Sequence, residues 1–315
     1  NMENAYPNWK LNMINYCDLQ ENGPPSIVCN NNNVVILQLL DDFVDNNRPS
    51  GVLQTQYEWP ELTYLELQSH TFTYSSKFNF TGLLHHNLEV LWLERWGDAN
   101  VPNSGVITAQ EWMEMASLPK IRQIRIIREG FTGNPGVITQ WNTPSLHTLR
   151  LERNNFDGFF NLTALMGIKS QLRTLAPSEN VDESVQWMDY DPNFEIICEL
   201  ENLSVFIAEK MNLLGEFNPS CLPINLETLR LRSNKLEGSI NWNIFNSSMR
   251  LIEFNIRKNM FSGHVNWNVF GNMDELMKLE LSGNQFTGTI DLSGFKNLNG
   301  IRDIRLESNN WNATN

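Results

Sequence analysis

Arginine and aromatic side chains form the set of residues in this sequence that is best suited to contact a ligand. Arginine binds carboxylate, sulfate and phosphate groups through its planar guanidinium, and arginine with aromatic residues is typical of interface anchors. The candidate binding residues are Tyr64, Trp92, Arg122, Arg125, Arg128, Arg150, Arg153 and Arg173. Two interpretations are open: a surface for an acidic ligand or a protein, or charges that pair across neighbouring strands.

Catalytic and metal-binding motifs are lacking in the sequence. No P-loop, G-x-S-x-G motif or Ser–His–Asp order is present. The adjacent histidines His85 and His86 have no cysteine or carboxylate at ligand spacing. We therefore predict no enzymatic activity, no catalytic residue, no metal and no cofactor.

Cysteines and N-glycosylation sequons both point outside the cell. The cysteines are Cys17, Cys29, Cys198 and Cys221, and four cysteines allow three pairings. The sequons lie at Asn79, Asn161, Asn202, Asn246 and Asn312. Together they predict a secreted or cell-surface protein that carries N-linked glycans.

The charge balance limits the class of partner. The chain has 23 basic and 36 acidic residues and a net charge of −13, whereas a nucleic-acid-binding protein needs a basic footprint. No apolar run reaches the roughly 18 residues of a membrane span. We expect a protein or glycan partner, or a second copy of the chain, and we expect no nucleic-acid partner and no membrane span.

A repeated sequence motif determines where these residues lie. Its copies start at Leu226, Leu251 and Leu276, a period of 25 residues, and follow the pattern LxxLxLxxNxFxGxI. This pattern is typical of leucine-rich repeats. One copy cannot bury its apolar face alone, so stacked copies form a parallel sheet over a continuous core.

About eleven repeats can be followed over residues 34–315. Their second apolar residues are Leu37, Leu65, Leu91, Ile124, Leu149, Leu175, Leu203, Leu229, Phe254, Leu279 and Ile304. An asparagine five residues later satisfies backbone groups of the turn, and it is present as Asn154, Asn180, Asn234, Asn259, Asn284 and Asn309. Other residues replace it at Asp42, His70, Trp96, Glu129 and Ala208. The early turns are therefore expected to have a different shape.

Residues 1–33 do not fit the repeat and are interpreted as an N-terminal cap closed by Cys17–Cys29, which follow Trp9. With this cap, the chain resembles plant-type leucine-rich repeat ectodomains, a family that includes receptor-kinase ectodomains and polygalacturonase-inhibiting proteins. The family's proline after Gly-x-Ile is replaced by Asn241, Asn266 and Asp291, which indicates a divergent lineage. The resemblance implies an α/β solenoid: a curved right-handed superhelix with a concave parallel sheet of about eleven short strands.

Two local features interrupt the repeats. Thr108 and Glu111 form a capping box that predicts a helix over about 109–117, inside an insertion near 97–118; the helix is a structural elaboration or a functional protrusion. Cys198 and Cys221 lie just upstream of strands in adjacent repeats. They are predicted to form a disulfide, with two buried thiols as the alternative.

Two further positions bear on which faces are open to a partner. Trp242 and Trp267 are equivalent in successive repeats and form either an apolar spine on the convex side or an exposed docking strip. Asn202 directly precedes Leu203, so a glycan there is expected to obstruct the concave face near repeat seven.

The sequence favours an extracellular recognition module that binds a protein, peptide or glycan through its repeats. A structural glycoprotein of a matrix, wall or filament, assembled through solenoid ends or flanks, is the alternative. Inhibition of a secreted hydrolase is a third hypothesis and rests on the family resemblance alone. No C-terminal cap is present within the chain, so we expect either further sequence after Asn315 or an end that docks onto a partner.

Overall fold

A computed structural model describes residues 26–30, 33–39, 50–53, 61–74, 80, 82–95, 105–158, 160–180, 195–217, 221–245 and 250–312. The predictions for the Cys17–Cys29 disulfide and for the sequons Asn79 and Asn246 lie outside these residues. The chain divides into two compact units, residues 1–158 and 159–315.

The first unit is built on short strands. Its helices are α1 (Ala109–Met115) and a 3₁₀ helix at Pro135–Val137. Its strands are β1 (Ser26–Asn30), β2 (Asn33–Leu39), β3 (Ser50–Leu53), β4 (Tyr64–Tyr74), β5 (Val90–Arg95), β6 (Gln123–Ile127), β7 (Thr132–Gly133), β8 (Thr148–Arg150) and β9 (Asn155–Phe156).

Strands of the first unit pair in chain order. β1 runs antiparallel to β2, and β2, β4, β5, β6 and β8 then follow as parallel neighbours. β3 pairs with β4, and β7 pairs with β9 in a small separate sheet. The sheet keeps the order that the repeats predict.

The second unit continues the same repeat. Its helices are α2 (Glu195–Glu199) and 3₁₀ helices at Leu162–Ile168, Trp242–Ile244, Trp267–Asn272 and Ser293–Asn297. Its strands are β10 (Thr174–Ala176), β11 (Val205–Ile207), β12 (Leu214–Glu216), β13 (Thr228–Arg230), β14 (Lys235–Ser239), β15 (Glu253–Asn255), β16 (Met260–His264), β17 (Lys278–Glu280), β18 (Gln285–Gly288), β19 (Asp303–Arg305) and β20 (Asn310–Trp311).

Two parallel sheets form in the second unit, because each repeat contributes two strands. The order of the first sheet is β10, β11, β13, β15, β17 and β19, and that of the second is β12, β14, β16, β18 and β20. Leu229, Phe254 and Leu279 lie side by side on adjacent strands of the first sheet and are fully buried. Because side chains alternate along a strand, the residues on either side of them point to the opposite face.

The asparagine ladder is present as predicted. The Asn259 side chain donates to the carbonyls of Leu231 and Ile256, each at 2.9 Å, and its Oδ1 accepts from the Leu236 amide at 3.2 Å. Asn234, Asn284 and Asn309 repeat this arrangement. Buried backbone groups of each turn thus find partners within and between repeats.

From Glu129 onwards, the residue directly before each ladder position adopts a left-handed backbone conformation. Non-glycine residues rarely do so, yet the feature recurs in both units. Its members are Arg128, Arg153, Glu179, Lys210, Ser233, Lys258, Gly283 and Ser308. We call this set the left-handed column, and it provides an independent marker of the repeat register.

The predicted register of repeat seven is wrong by three residues. Phe206, not Leu203, lies opposite Leu175 and Leu229. Ala208 then fills the third apolar position and is fully buried. The ladder position is therefore Met211, directly after the left-handed Lys210. Both Leu203 and Phe206 satisfy the apolar spacing of the motif, and only strand pairing separates them.

Cys198 and Cys221 form a disulfide, which confirms the predicted pairing, with 5.6 Å between their Cα atoms. The corrected register gives the reason. Cys198 precedes the start of β11 by seven residues, and Cys221 precedes the start of β13 by the same number. The two cysteines are equivalent positions of successive repeats.

The helix predicted after Thr108 is present as α1. The Thr108 side chain accepts from the Glu111 amide, and the Glu111 carboxylate accepts from the Thr108 amide at 2.8 Å. Glu111 also accepts from the Phe80 amide at 2.6 Å, while Trp112 and Met115 are buried. The contacts tie the helix into the first unit as a packed element of the repeat.

Trp242 and Trp267 belong to the core of the second unit. Their exposed fractions are 7% and 6%, and each indole N–H donates to a backbone carbonyl of the next repeat, at His264 and Thr289. The apolar spine is the interpretation that fits. No helix within the described ranges is long and apolar enough to cross a membrane.

Candidate ligand-binding surface

A row of polar and aromatic residues crosses four adjacent strands of the first unit. Glu66, Trp92, Arg125 and Arg150 lie opposite one another on β4, β5, β6 and β8. Each is the middle residue of an apolar-x-apolar strand, so it points away from the core. We call this set the central row.

The Arg125 guanidinium stacks on the Trp92 indole. Its central carbon lies 4.1 Å from the ring centroid, which is a cation–π geometry. The indole N–H donates to the Glu94 carboxylate at 3.0 Å. The indole is therefore held at its edge by a hydrogen bond and is covered on one face by the guanidinium.

Tyr64 forms a hydrogen bond with Glu66, the acidic residue at one end of the central row. Its hydroxyl donates to Glu66 at 2.8 Å, and the Gln68 amide also donates to Glu66. Glu66 is only 3% exposed. Burial and the hydrogen bond to Glu66 raise the pKa of Tyr64 to about 12, while the nearby Arg125 opposes the shift.

Arg125 and Arg150 bring two positive charges side by side. Burial lowers the pKa of Arg125, and the Arg150 charge lowers it further, against the opposing effects of Glu94 and Glu66. Arg150 is paired with Glu152. An anionic ligand group placed between the two guanidinium groups would relieve their repulsion.

The other predicted arginines occupy different places. Arg122 pairs with Glu89 at an exposed position, where an ion pair contributes little. Arg128 and Arg153 belong to the left-handed column at the turns that follow β6 and β8. Arg173 lies in the second unit. The structure thus gathers Tyr64, Trp92, Arg125 and Arg150, and places the other four elsewhere.

Three acidic residues that the sequence interpretation did not select hold this surface together: Glu66, Glu94 and Glu152. Glu66 lies opposite Trp92 in the strand register, and Glu94 and Glu152 follow Trp92 and Arg150 by two residues. Their positions within the repeat could have revealed them, because residues at equivalent positions align across the sheet.

In the second unit, charged side chains of neighbouring strands form a connected series of ion pairs instead. Glu253 contacts Arg230 at 2.6 Å and Lys278 at 3.2 Å, and Lys278 contacts Glu280 at 2.7 Å. Arg305 continues the series at 3.9 Å from Glu280 and 3.0 Å from Asp303. Cross-strand pairing describes this sheet, whereas the central row keeps a cation stacked on an aromatic ring.

Asn202 differs from its predicted place. It lies in the turn before β11, where its side-chain amide donates to the Ser170 carbonyl at 2.6 Å. The expectation that a glycan here would sit on the strand face is therefore wrong, and its cause is the register error at Leu203. Asn161 caps a 3₁₀ helix, and Asn312 is exposed after β20.

Among the side chains that the structure describes, no group of three or more His, Cys, Asp and Glu residues is arranged to hold a metal ion. The side chains of the central row offer charge, an aromatic face and hydrogen-bonding groups.

Solved structures with a similar fold include plant receptor ectodomains. The ectodomain of the Arabidopsis receptor kinase HAESA, in complex with an N-terminally extended IDA peptide hormone, is 24% identical with a TM-score of 0.61 over 84% of this chain and 41% of that chain. HAESA in complex with IDA and the co-receptor SERK1 is 25% identical, with a TM-score of 0.59 over 88% of this chain and 42% of that chain. A TDR receptor is 20% identical, with a TM-score of 0.58 over 88% of this chain and 48% of that chain.

No family model matches the chain, and no curated protein matches it by sequence. The chain spans less than half the length of the three solved structures. Short parallel strands, the asparagine ladder and the structural likeness agree with one another. The chain has the leucine-rich repeat fold that plant-type receptor ectodomains have.

Proposed function

We propose that this chain is a non-enzymatic extracellular recognition module that binds a peptide or protein segment on the central row. The observation that carries the proposal is the Arg125 guanidinium stacked on Trp92 next to a second cation, Arg150. The solved structures of HAESA with its peptide hormone support the choice of a peptide as the ligand class.

The geometry favours a ligand that presents a carboxylate beside an apolar side chain. The carboxylate fits between Arg125 and Arg150, which the strand register makes direct neighbours. The exposed part of the Trp92 ring and the ring of Tyr64 supply apolar contact, and aromatic residues with arginine dominate binding energy in interfaces. Glu66 and Glu94 are already engaged with Tyr64 and Trp92, so they hold the aromatic rings rather than receive the ligand.

The test is affinity selection from a synthetic peptide library that contains acidic and apolar residues, with the whole chain as bait. Peptides recovered by the wild-type chain are then titrated by calorimetry against Arg125→Glu. We expect at least about a tenfold loss of affinity, or about 1.4 kcal/mol. A fall in affinity with rising salt is expected as well.

Arg302→Glu is the matched control. Arg302 is an exposed arginine in the second unit, at the repeat position of Arg122. This variant makes the same charge change away from the central row and should leave affinity unchanged. Selected peptides that bind Arg125→Glu as tightly as the wild-type chain would refute the proposal.

The structural-glycoprotein and hydrolase-inhibitor hypotheses remain predictions. Sedimentation velocity of the purified chain distinguishes the first of them: a structural subunit should polymerise with increasing concentration, and a simple receptor module should not. Peptide binding by a chain that stays monomeric supports the recognition module.

A further inference from the structure

A pocket of about 320 Å³ lies in the second unit and has three lysines in its wall. Its lining residues are Lys210, Asn212, Ser233, Asn234, Lys235 and Lys258. The volume is at the lower end of the roughly 300–1,000 Å³ of ligand pockets. None of the lining residues is acidic.

The pocket follows from the left-handed column. Lys210, Ser233 and Lys258 are successive members of that column, and neighbouring strands lie roughly 5 Å apart. The two lysines are therefore roughly 10 Å apart at their backbones, with the small Ser233 between them. A short side chain between two long ones leaves the space, and Lys235 closes it from the start of β14.

Charge in the pocket is not balanced by the protein. Lys210 lies 3.2 Å from the Glu179 carboxylate. Lys235 and Lys258 are exposed, and neither has an ion-pair partner among the residues that the structure describes. The three lysines of the lining thus have one ion-pair partner among the described residues, in a chain whose net charge is −13.

Side chains of the wall differ in what they can offer a ligand. The Asn234 amide belongs to the ladder, where it donates to the carbonyls of Ala208 and Leu231 and accepts from two amides. Ser233 keeps a hydroxyl beside the lysines. Lysine is a common phosphate-binding residue that acts as a point charge, and three of them suit a group with several negative oxygens.

We propose that this pocket binds a tetrahedral oxyanion, phosphate or sulfate, either free or as the ester group of a larger ligand. The site lies in the second unit and is separate from the central row. Its occupancy does not depend on the proposed recognition of a peptide, so either proposal can fail alone.

The test is calorimetric titration of the whole chain with sodium phosphate, sodium sulfate and phenyl phosphate, against sodium chloride at matched ionic strength. We expect binding of the tetrahedral anions and at least about a tenfold loss of affinity in Lys235→Gln/Lys258→Gln. Lys296→Gln is the control, because Lys296 is an exposed lysine of the same unit outside the pocket lining, and it should bind as the wild-type chain does.

Each outcome has a definite meaning. Binding of phosphate or sulfate without phenyl phosphate supports a site for the free ion, and binding of phenyl phosphate as well supports an ester-bearing ligand. Absence of binding beyond the chloride reference, or equal affinity in the double variant, overturns the proposal. Circular dichroism of the variants checks that the fold is intact.

Discussion

The Glu129 carboxylate lies 3.8 Å from Nε of Arg95, and both side chains are buried, with 0% and 9% of their surfaces exposed. Glu129 occupies the ladder position of its repeat, where later repeats have asparagine. Its backbone amide still donates to Asn154 of the next repeat, at 3.1 Å. A buried ion pair therefore accompanies the ladder in this turn. The left-handed Arg128 directly before Glu129 shows that the turn keeps the backbone conformation of the later repeats, so the different shape expected from the sequence is not found here.

Removal of Arg95 should destabilise the first unit strongly. Arg95→Met keeps the apolar stem but leaves the Glu129 carboxylate buried without this partner, which costs about 3–5 kcal/mol. Urea unfolding monitored by circular dichroism measures the loss. In Arg95→Met/Glu129→Gln the loss should be smaller, because no buried carboxylate then remains at this position; an equal loss in both would contradict the role of the ion pair.

The ladder asparagines of the second unit should be individually important. Asn259→Ala removes the bonds donated to the Leu231 and Ile256 carbonyls and the bond accepted from the Leu236 amide. Buried backbone groups are then left unsatisfied, so we expect a loss of about 2–4 kcal/mol. The control is Asn243→Ala at an exposed position, expected within about 0.5 kcal/mol of wild type. Similar unfolding midpoints for the two variants would show that water replaces the ladder bonds.

Loss of the Cys198–Cys221 disulfide should destabilise the repeats that it joins. The 23-residue separation corresponds to about 3 kcal/mol in the chain-entropy account. Because each repeat contacts mainly its neighbours, amides of β11 and β13 should lose hydrogen-exchange protection in Cys198→Ala/Cys221→Ala. Amides of β17 and β19 serve as the internal reference, and uniform loss over the unit would contradict a local effect.

Stability at alkaline pH should depend on Tyr64. The pKa of Tyr64 is about 12 in the folded chain, against about 10 in an unfolded chain. Because the pKa is raised in the folded state, the contribution of protonated Tyr64 to the free energy of unfolding is complete below about pH 10. It is lost as the pH rises towards 12. The free energy of unfolding should therefore fall less steeply over this window in Tyr64→Phe than in the wild-type chain.

Glu66→Gln provides the complementary measurement. It removes the charge and weakens the hydrogen bond that raises the pKa of Tyr64, so ultraviolet titration should show one tyrosine ionising at lower pH. An unchanged titration curve would assign the shift to burial alone.

Regular repeats were predictable because three kinds of signal agree within them. From Leu226 onwards the apolar spacing, the ladder asparagine and the turn glycine coincide, so the strand register follows directly. The capping box at Thr108 likewise predicted α1, since both reciprocal hydrogen bonds are encoded within four residues.

Repeat seven was not predictable in the same way. Leu203 and Phe206 both fit the apolar spacing, and no asparagine is present at Met211 to decide between them. The disulfide was predicted although the register was not, because proximity of the cysteines tolerates a shift of three residues. The placement of Asn202 does not tolerate that shift.

The candidate surface was predictable as a composition but not as an arrangement. The sequence shows arginines near aromatic residues, yet the stack of Arg125 on Trp92 depends on which strand positions become neighbours. The lysine pocket depends on a small residue between two long ones across repeats, so it emerges only after the left-handed column is known.

That column separates backbone shape from side-chain identity. Arg128, Glu179, Lys210, Ser233 and Gly283 all hold the same backbone conformation at the same place in their repeats. The turn therefore accepts a positive, a negative, a neutral or no side chain without a change of path. Substitutions in the left-handed column can therefore change the surface charge of one repeat at a time, while the backbone of the repeats stays the same.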